Sequence, residues 1–206
     1  MNNKLIENVV SNLSKLQGIG KKSAERIAYQ LCMSDKANEY SISMSLAKSL
    51  LEMIEHLGAC NKCLNMIDKR ENNHTCTICS DVNRNSKELC IVLDYKDMSY
   101  IEGLEIYGGY YFCIGNLINP YQGVGVDMLP INHLIDIVEE RKAGEIIMAL
   151  PFNQEGEITM QYLSKILSNK VEKITILHKG IPFGYELGWV DAYTLKNSFL
   201  NRTSLC

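Results

Sequence analysis

The chain has 206 residues, 46% hydrophobic and 22% charged, with a formal net charge of −3; these values are ordinary for a globular protein and exclude a disordered, collagen-like or low-complexity chain. Its longest apolar runs are strand-sized, as at residues 145–150, and residues 1–10 lack the apolar run and cleavage site of a signal peptide, so a cytoplasmic protein without membrane contact is expected. The net charge hides an asymmetry: ten basic and seven acidic residues stand up to Arg70, and eleven against seventeen beyond it, which permits an electropositive N-terminal face.

Leu5, Ile6, Val9, Val10, Leu13 and Leu16 recur at helical spacing, followed by Ala24, Ile27, Ala28 and Leu31, and then by Leu46, Leu50, Met53, Ile54 and Leu57. Residues 1–58 are therefore predicted to be largely helical. Between the first two helices, Leu16, Gln17, Gly18, Ile19 and Gly20 leave room only for a tight reversal. Gly18 and Gly20 would let backbone N–H groups approach a phosphate, the next helix would direct its positive end there, and Lys21, Lys22 and Arg26 would add charge without reading bases. Such binding is sequence-independent and salt-sensitive. A plain turn between packed helices, with both lysines on a solvated face, explains the same residues equally well. A P-loop is excluded, because it needs glycine where Lys15 stands and a hydroxyl where Lys22 stands. One hairpin makes few phosphate contacts, so useful affinity requires several in one assembly.

Residues 60–79 are polar and hold no sustained helical or strand period, so this segment needs a staple other than a core. Cys60, Cys63, Cys76 and Cys79 form two Cys-x-x-Cys pairs twelve residues apart. Each pair can turn two thiolates onto one ion, and four sulfurs complete a tetrahedron with no open position, which predicts one structural Zn²⁺ per chain. Redox dithiols seldom come as a spaced double pair, and His74 is not needed as a ligand. Of the other cysteines, Cys32, Cys90 and Cys113 sit among apolar neighbours and are expected in the core, and Cys206 is terminal.

Beyond Glu88, short apolar runs at residues 89–93, 110–114, 146–150 and 174–177 alternate with helical stretches at 96–105, 129–141 and 157–167, which predicts a parallel α/β sheet. The loop at 116–130 is rich in glycine and proline. Asp94 and Asp97 follow the first strand, and Glu155 and Glu157 lie just past the third, where such sheets place sites. Two carboxylates spaced Glu-Gly-Glu could hold Mg²⁺, but phosphoryl transfer needs a third well-placed one, and a solvated loop is the preferred reading. Tyr107, Tyr110 and Tyr111 suit sheet packing, while Tyr121 is open between packing and stacking on a base. The four histidines are scattered, with His133 and His178 beside apolar positions, and form no catalytic constellation.

In this order the parts resemble the bacterial RecR family of recombination mediators over essentially the whole chain. The matching segments are residues 16–26 (LQGIGKKSAER), the module at 60–79, and residues 97–102, 123–127, 153–157 and 180–195. The resemblance implies an α+β multidomain fold: a helix-hairpin-helix region at 1–58, a four-cysteine zinc finger at 59–80, a Toprim domain at 88–178, and a Walker B-like oligomerisation segment at 179–206. It also implies a ring-shaped homotetramer on single-stranded, gapped or duplex DNA, which acts with RecO and RecF to load RecA onto single-stranded DNA. By the same resemblance Lys21, Lys22 and Arg26 contact DNA, Glu155 and Glu157 belong to the surface used with RecO, and the protein is not an enzyme. Two positions depart from the family pattern. Leu93 stands where the Toprim glutamate is expected, with Asp94 one place later, which argues against Mg²⁺ catalysis because a one-residue shift reverses the face of a strand. Gly188 stands where an acidic residue is common, although Asp191 remains. The alternatives are a Toprim-class Mg²⁺-dependent nuclease and a zinc-stabilised protein adaptor.

Overall fold

The computed structural model describes residues 3–34, 42–70, 74–178, 180–181 and 184–200. The chain divides into two compact units, Met1–Leu57 and Gly58–Cys206. Cys206 and part of the Walker B-like stretch, Pro182 and Phe183, lie outside the described residues.

The first unit contains α1 (Lys4–Leu13), α2 (Lys21–Ser34) and α3 (Ile42–His56). Asn3 caps α1 by accepting a hydrogen bond from the Leu5 N–H at 3.1 Å, which satisfies one of the donors a helix start leaves open. Ala24 and Ala28 are buried in α2, where small side chains allow close helix packing. Ser43 Oγ donates to the Leu31 carbonyl at 2.8 Å and ties α3 to α2. The predicted helical period is present, but the apolar faces it aligns are largely uncovered: Leu5 is 76% and Ile54 74% exposed. Three short helices enclose too little volume to bury both sides of every helix.

Two expectations fail here. Cys32, in the last turn of α2, is exposed rather than in the core, because three short helices leave part of every apolar face uncovered. Leu57 leaves the third helix and opens a strand.

From the unit boundary onward, β1 (Leu57–Ala59) and β2 (Met66–Asp68) form a two-stranded sheet, followed by the short helix α4 (Thr77–Ser80). The segment predicted to lack regular structure thus has a small framework of its own. Next come β3 (Asn85–Val92), α5 (Tyr95–Glu102), β4 (Gly109–Cys113), α6 (Ile131–Arg141), β5 (Glu145–Ala149), α7 (Gln154–Leu167), β6 (Lys173–Ile176) and α8 (Ala192–Leu200). The four long strands form a sheet in the order β4, β3, β5, β6, with every neighbouring pair parallel. Leu89, Ile91, Phe112, Ile146 and Met148 face one core with Leu134, Val138 and Leu163 of α6 and α7. Cys90, Val92, Tyr111 and Cys113 face a smaller one with Met98 of α5. Because helices cover both faces, the runs at 89–93 and 146–150 are continuously apolar, which is why they were legible as strands.

Tyr111 packs as expected, and Tyr110 lies under the Arg141 guanidinium, 3.4 Å from its ring centre, a cation–π contact. Burial pushes the Cys90 and Cys113 thiols up to about 12, so these two are inert core residues. The loop at 116–130 forms two short 3-10 turns, Pro120–Gln122 and Val126–Met128. The third crossover helix starts at Gln154 instead of residue 157. No helix among the described residues is long and apolar enough to cross a membrane.

Candidate functional site

The four cysteines converge. The Sγ atoms of Cys60, Cys63, Cys76 and Cys79 all lie within 4.8 Å of one another, and those of Cys63 and Cys76 are 3.5 Å apart. Zinc–sulfur bonds of about 2.3 Å in a tetrahedron place sulfurs about 3.8 Å apart, so the spacing fits one ion. The first pair is bent by a tight turn in which Leu64 takes a φ of 60° and Cys60 N–H donates to the Asn65 carbonyl at 2.7 Å. The turn aims backbone donors at sulfur: Lys62 N–H and Cys76 N–H approach Cys60 Sγ at 3.4 Å, and Cys79 N–H approaches Cys76 Sγ at 3.3 Å. Such donors favour the thiolate.

The Cys60 thiol is held far below its ordinary range by hydrogen bonding with Cys63 first, then Cys76 and Cys79, while Cys63 and Cys79 are pushed above it, each chiefly by its bond with Cys60. The bond with Cys60 raises the Cys76 thiol, but those with Cys63 and Cys79 outweigh it and lower it to about 7, and all four become thiolates together only around a cation. His74 is exposed, outside the cluster.

The cysteine module is fastened to the sheet. Cys113 N–H, at the end of β4, donates to the Cys63 carbonyl at 2.8 Å. His133 Nε2 on α6 lies 2.9 Å from the Lys62 carbonyl, the Lys62 ammonium pairs with Glu140, and Tyr110 Oη donates to the Asp81 carbonyl at 2.6 Å. Ile78 packs against both faces of the sheet as well as the cysteines.

In the first unit the hairpin turn forms between α1 and α2. Gly18 takes a φ of 83°, a left-handed conformation that favours glycine. A side chain at Gly20 would meet nothing within 4 Å, so nothing inside the chain demands glycine there, and the backbone lies open to solvent. Lys21, Lys22 and Arg26 are all exposed. The first turn of α2 holds no acidic residue, which leaves the positive end of the helix uncompensated.

At the C-terminal ends of the adjacent strands β3 and β5 stand the four acidic residues. Asp94 caps α5, its Oδ1 accepting from Lys96 N–H at 2.8 Å and Asp97 N–H at 3.1 Å. Leu93, in the expected glutamate position, packs against the core instead. Asp97 is half-buried, and burial first, then the nearby Asp94 charge, raises its pKa above the usual carboxylate value. Glu155 and Glu157 do not lie in a loop: they occupy the first turn of α7, capped by Asn153, whose Oδ1 accepts from Gly156 N–H at 2.8 Å. A Cβ at Gly156 would fall 1.8 Å from the Pro151 carbonyl oxygen, so glycine separates the two glutamates for want of space. Among the described residues the cysteines are the group of three or more metal-ligating side chains that converges. The carboxylates share one end of the sheet without forming a ligating cluster.

Three residues passed over in the sequence organise this edge. Asn119 Nδ2 donates to Glu155 Oε1 at 3.3 Å, Thr159 Oγ1 accepts from Ile118 N–H at 2.9 Å, and the Tyr193 hydroxyl of α8 is hydrogen-bonded to Glu157. No sequence signal marks these pairings, which join residues distant in the chain. The helix start at Asn153 was readable, as a capping residue followed by acids in the first turn. Asp191 likewise caps α8, accepting from Thr194 N–H at 2.9 Å, and that backbone bond holds its carboxyl below the usual range.

Three family models match the chain: "RecR, helix-hairpin-helix" at residues 6–53, "Toprim domain" at 87–178 and "RecR, C-terminal" at 180–203. Among curated relatives, proteins named "Recombination protein RecR" are similar along nearly all their length. The one from Cytophaga hutchinsonii is 37% identical over 97% of this chain and 94% of its own. That from Frankia casuarinae is 35% identical over 96% of each, and that from Francisella tularensis subsp. holarctica 36% identical over 97% and 96%. With the hairpin, the cysteine cluster and the parallel Toprim sheet following one another in a single chain, this protein belongs to the RecR family.

Proposed function

We propose that the chain is a recombination mediator, a clamp that binds DNA without sequence preference and, with RecO and RecF, promotes loading of RecA on single-stranded DNA at gaps and breaks. The observation that carries this reading is the hairpin: an open turn backed by an uncompensated helix start and two exposed lysines. A phosphate approached by these groups meets backbone N–H donors and positive charge, and no side chain aimed at a base edge. Gly18, Gly20, Lys21, Lys22 and Arg26 form that contact.

The divisions of labour are residues 1–58 for DNA, 59–80 for a zinc finger, 88–178 for the Toprim domain and 179–206 for oligomerisation. Zn²⁺ held by Cys60, Cys63, Cys76 and Cys79 supplies a structural cross-link with no chemistry at a substrate. Assembly into a homotetramer is supported by the uncovered apolar faces of α1 and α3 and by exposed Phe199 and Leu200 on α8, which a second copy can bury. Tetramerisation multiplies the few phosphate contacts of one hairpin.

The Toprim edge serves protein contact. Asp94 is occupied as a helix cap and Leu93 is apolar, so Asp94, Asp97, Glu155 and Glu157 act together as an acidic partner surface for RecO, with no phosphoryl transfer. The protein works in the cytoplasm, on the nucleoid.

Native mass spectrometry with a gapped duplex tests this directly. A tetramer with one zinc per subunit and bound DNA is expected, and the Lys21→Glu/Lys22→Glu variant should keep its zinc and subunit number while losing DNA. A zinc-bearing protein that ignores DNA would favour an adaptor. Mg²⁺-dependent cleavage abolished by Glu155→Ala would make the protein a nuclease.

A further inference from the structure

The loop after β4 is a built platform. At its base Ile118 is buried and donates its N–H to Thr159 Oγ1 at 2.9 Å. Asn119 and Val124 exchange both backbone hydrogen bonds at 2.9 Å. The Asn119 side chain accepts from Gln122 N–H at 3.1 Å and donates to Glu155 at 3.3 Å. Pro120 presets the first φ of the 3-10 turn, and Gly123 closes it at a φ of 74°. What this scaffold holds out is Tyr121, 91% exposed.

The backbone of this turn is already ordered, so covering the ring costs only the freedom of one short side chain, and tyrosine is among the residues that dominate binding at interfaces. The surroundings decide what covers it. Residues 115–130 and 151–164 contain Asp127, Glu155 and Glu157 and no lysine or arginine. A DNA backbone would meet like charge there, whereas a basic protein surface would be attracted.

We propose that Tyr121 is the aromatic anchor of a docking surface for a basic protein partner, with Asn119 as the positioning residue that ties the anchor to Glu155. This rests on the reading that Glu155 and Glu157 face a protein partner, and adds the apolar contact that an acidic patch by itself lacks.

The test is calorimetric titration of the full-length protein with its cognate RecO, beside DNA-binding and native mass measurements. Tyr121→Ala should weaken RecO binding about tenfold or more, Tyr121→Phe should retain it, and Asn119→Ala should fall between, with DNA binding and subunit number unchanged. If Glu155→Gln weakens RecO binding but Tyr121→Ala does not, the anchor is wrong and the acidic surface stands. If the wild-type protein does not bind RecO, the partner surface and the anchor fall together. A Tyr121→Ala variant that loses DNA, or changes its subunit number, overturns the proposal in favour of base stacking or of self-association.

Discussion

The backbone N–H of Cys113 donates to the carbonyl of Cys63 at 2.8 Å, so the first cysteine pair borders the outer strand of the parallel sheet. Every residue of β4 is buried, and an edge strand left open would offer unpaired backbone groups to other chains. The cysteine module therefore covers part of the edge of the Toprim sheet.

Removing the metal should accordingly reach beyond residues 60–79. Chelation at neutral pH, or Cys63→Ser, is expected to lower the melting temperature and to speed hydrogen exchange at Cys113 and its β4 neighbours. In small zinc modules metal binding contributes roughly 10–16 kcal/mol to folding. Unchanged exchange along β4 after loss of zinc would show that the module and the sheet are independent.

The hairpin lysines should act on DNA through phosphate alone. Lys21→Ala and Lys22→Ala should each weaken binding to all sequences alike and reduce the salt dependence, by about 0.9 in slope for each duplex phosphate that is no longer neutralised. Fluorescence anisotropy at several salt concentrations reads both quantities. Weakening confined to particular sequences would contradict binding through phosphate alone.

Thr159 is fully buried, and its hydroxyl both accepts from Ile118 N–H and donates to the Glu155 carbonyl at 2.7 Å. Thr159→Val keeps the shape and leaves a buried N–H without an acceptor, which costs about 1–3 kcal/mol. The denaturation midpoint should fall while the slope of the unfolding curve stays constant. An unchanged midpoint would mean that another group or water replaces the hydroxyl.

Glu140 titrates below the usual carboxylate range, first because it accepts a hydrogen bond from Lys62. Its stabilising contribution is therefore complete above the unfolded carboxylate pKa and disappears as the pH falls through the lowered folded value. The pair is partly exposed, so solvent screening limits its contribution to about 0.2–1 kcal/mol. Glu140→Gln should show that deficit at pH 7 and approach the wild-type stability in acid, as urea melts at both pH values would establish.

The sequence by itself determined the helical N-terminal region, the converging cysteines and the α/β class, because each follows from a local period or a fixed spacing. Helical recurrence places Ala24 and Ala28 on one face, and paired cysteines need only a short turn to converge. Continuous apolar runs such as 89–93 mark strands covered on both sides. The helix start at Asn153 was also local information, obscured by a glycine that stands between two glutamates because the Pro151 carbonyl leaves no room for a Cβ. Tertiary structure alone decided that Cys32 is exposed, since burial depends on which neighbours cover a helix face. It also decided that the Cys63 turn borders the sheet and that Asn119 holds Glu155 and the Tyr121 loop together. These contacts join residues far apart in sequence, and packing, which no local pattern encodes, brings them within hydrogen-bonding distance.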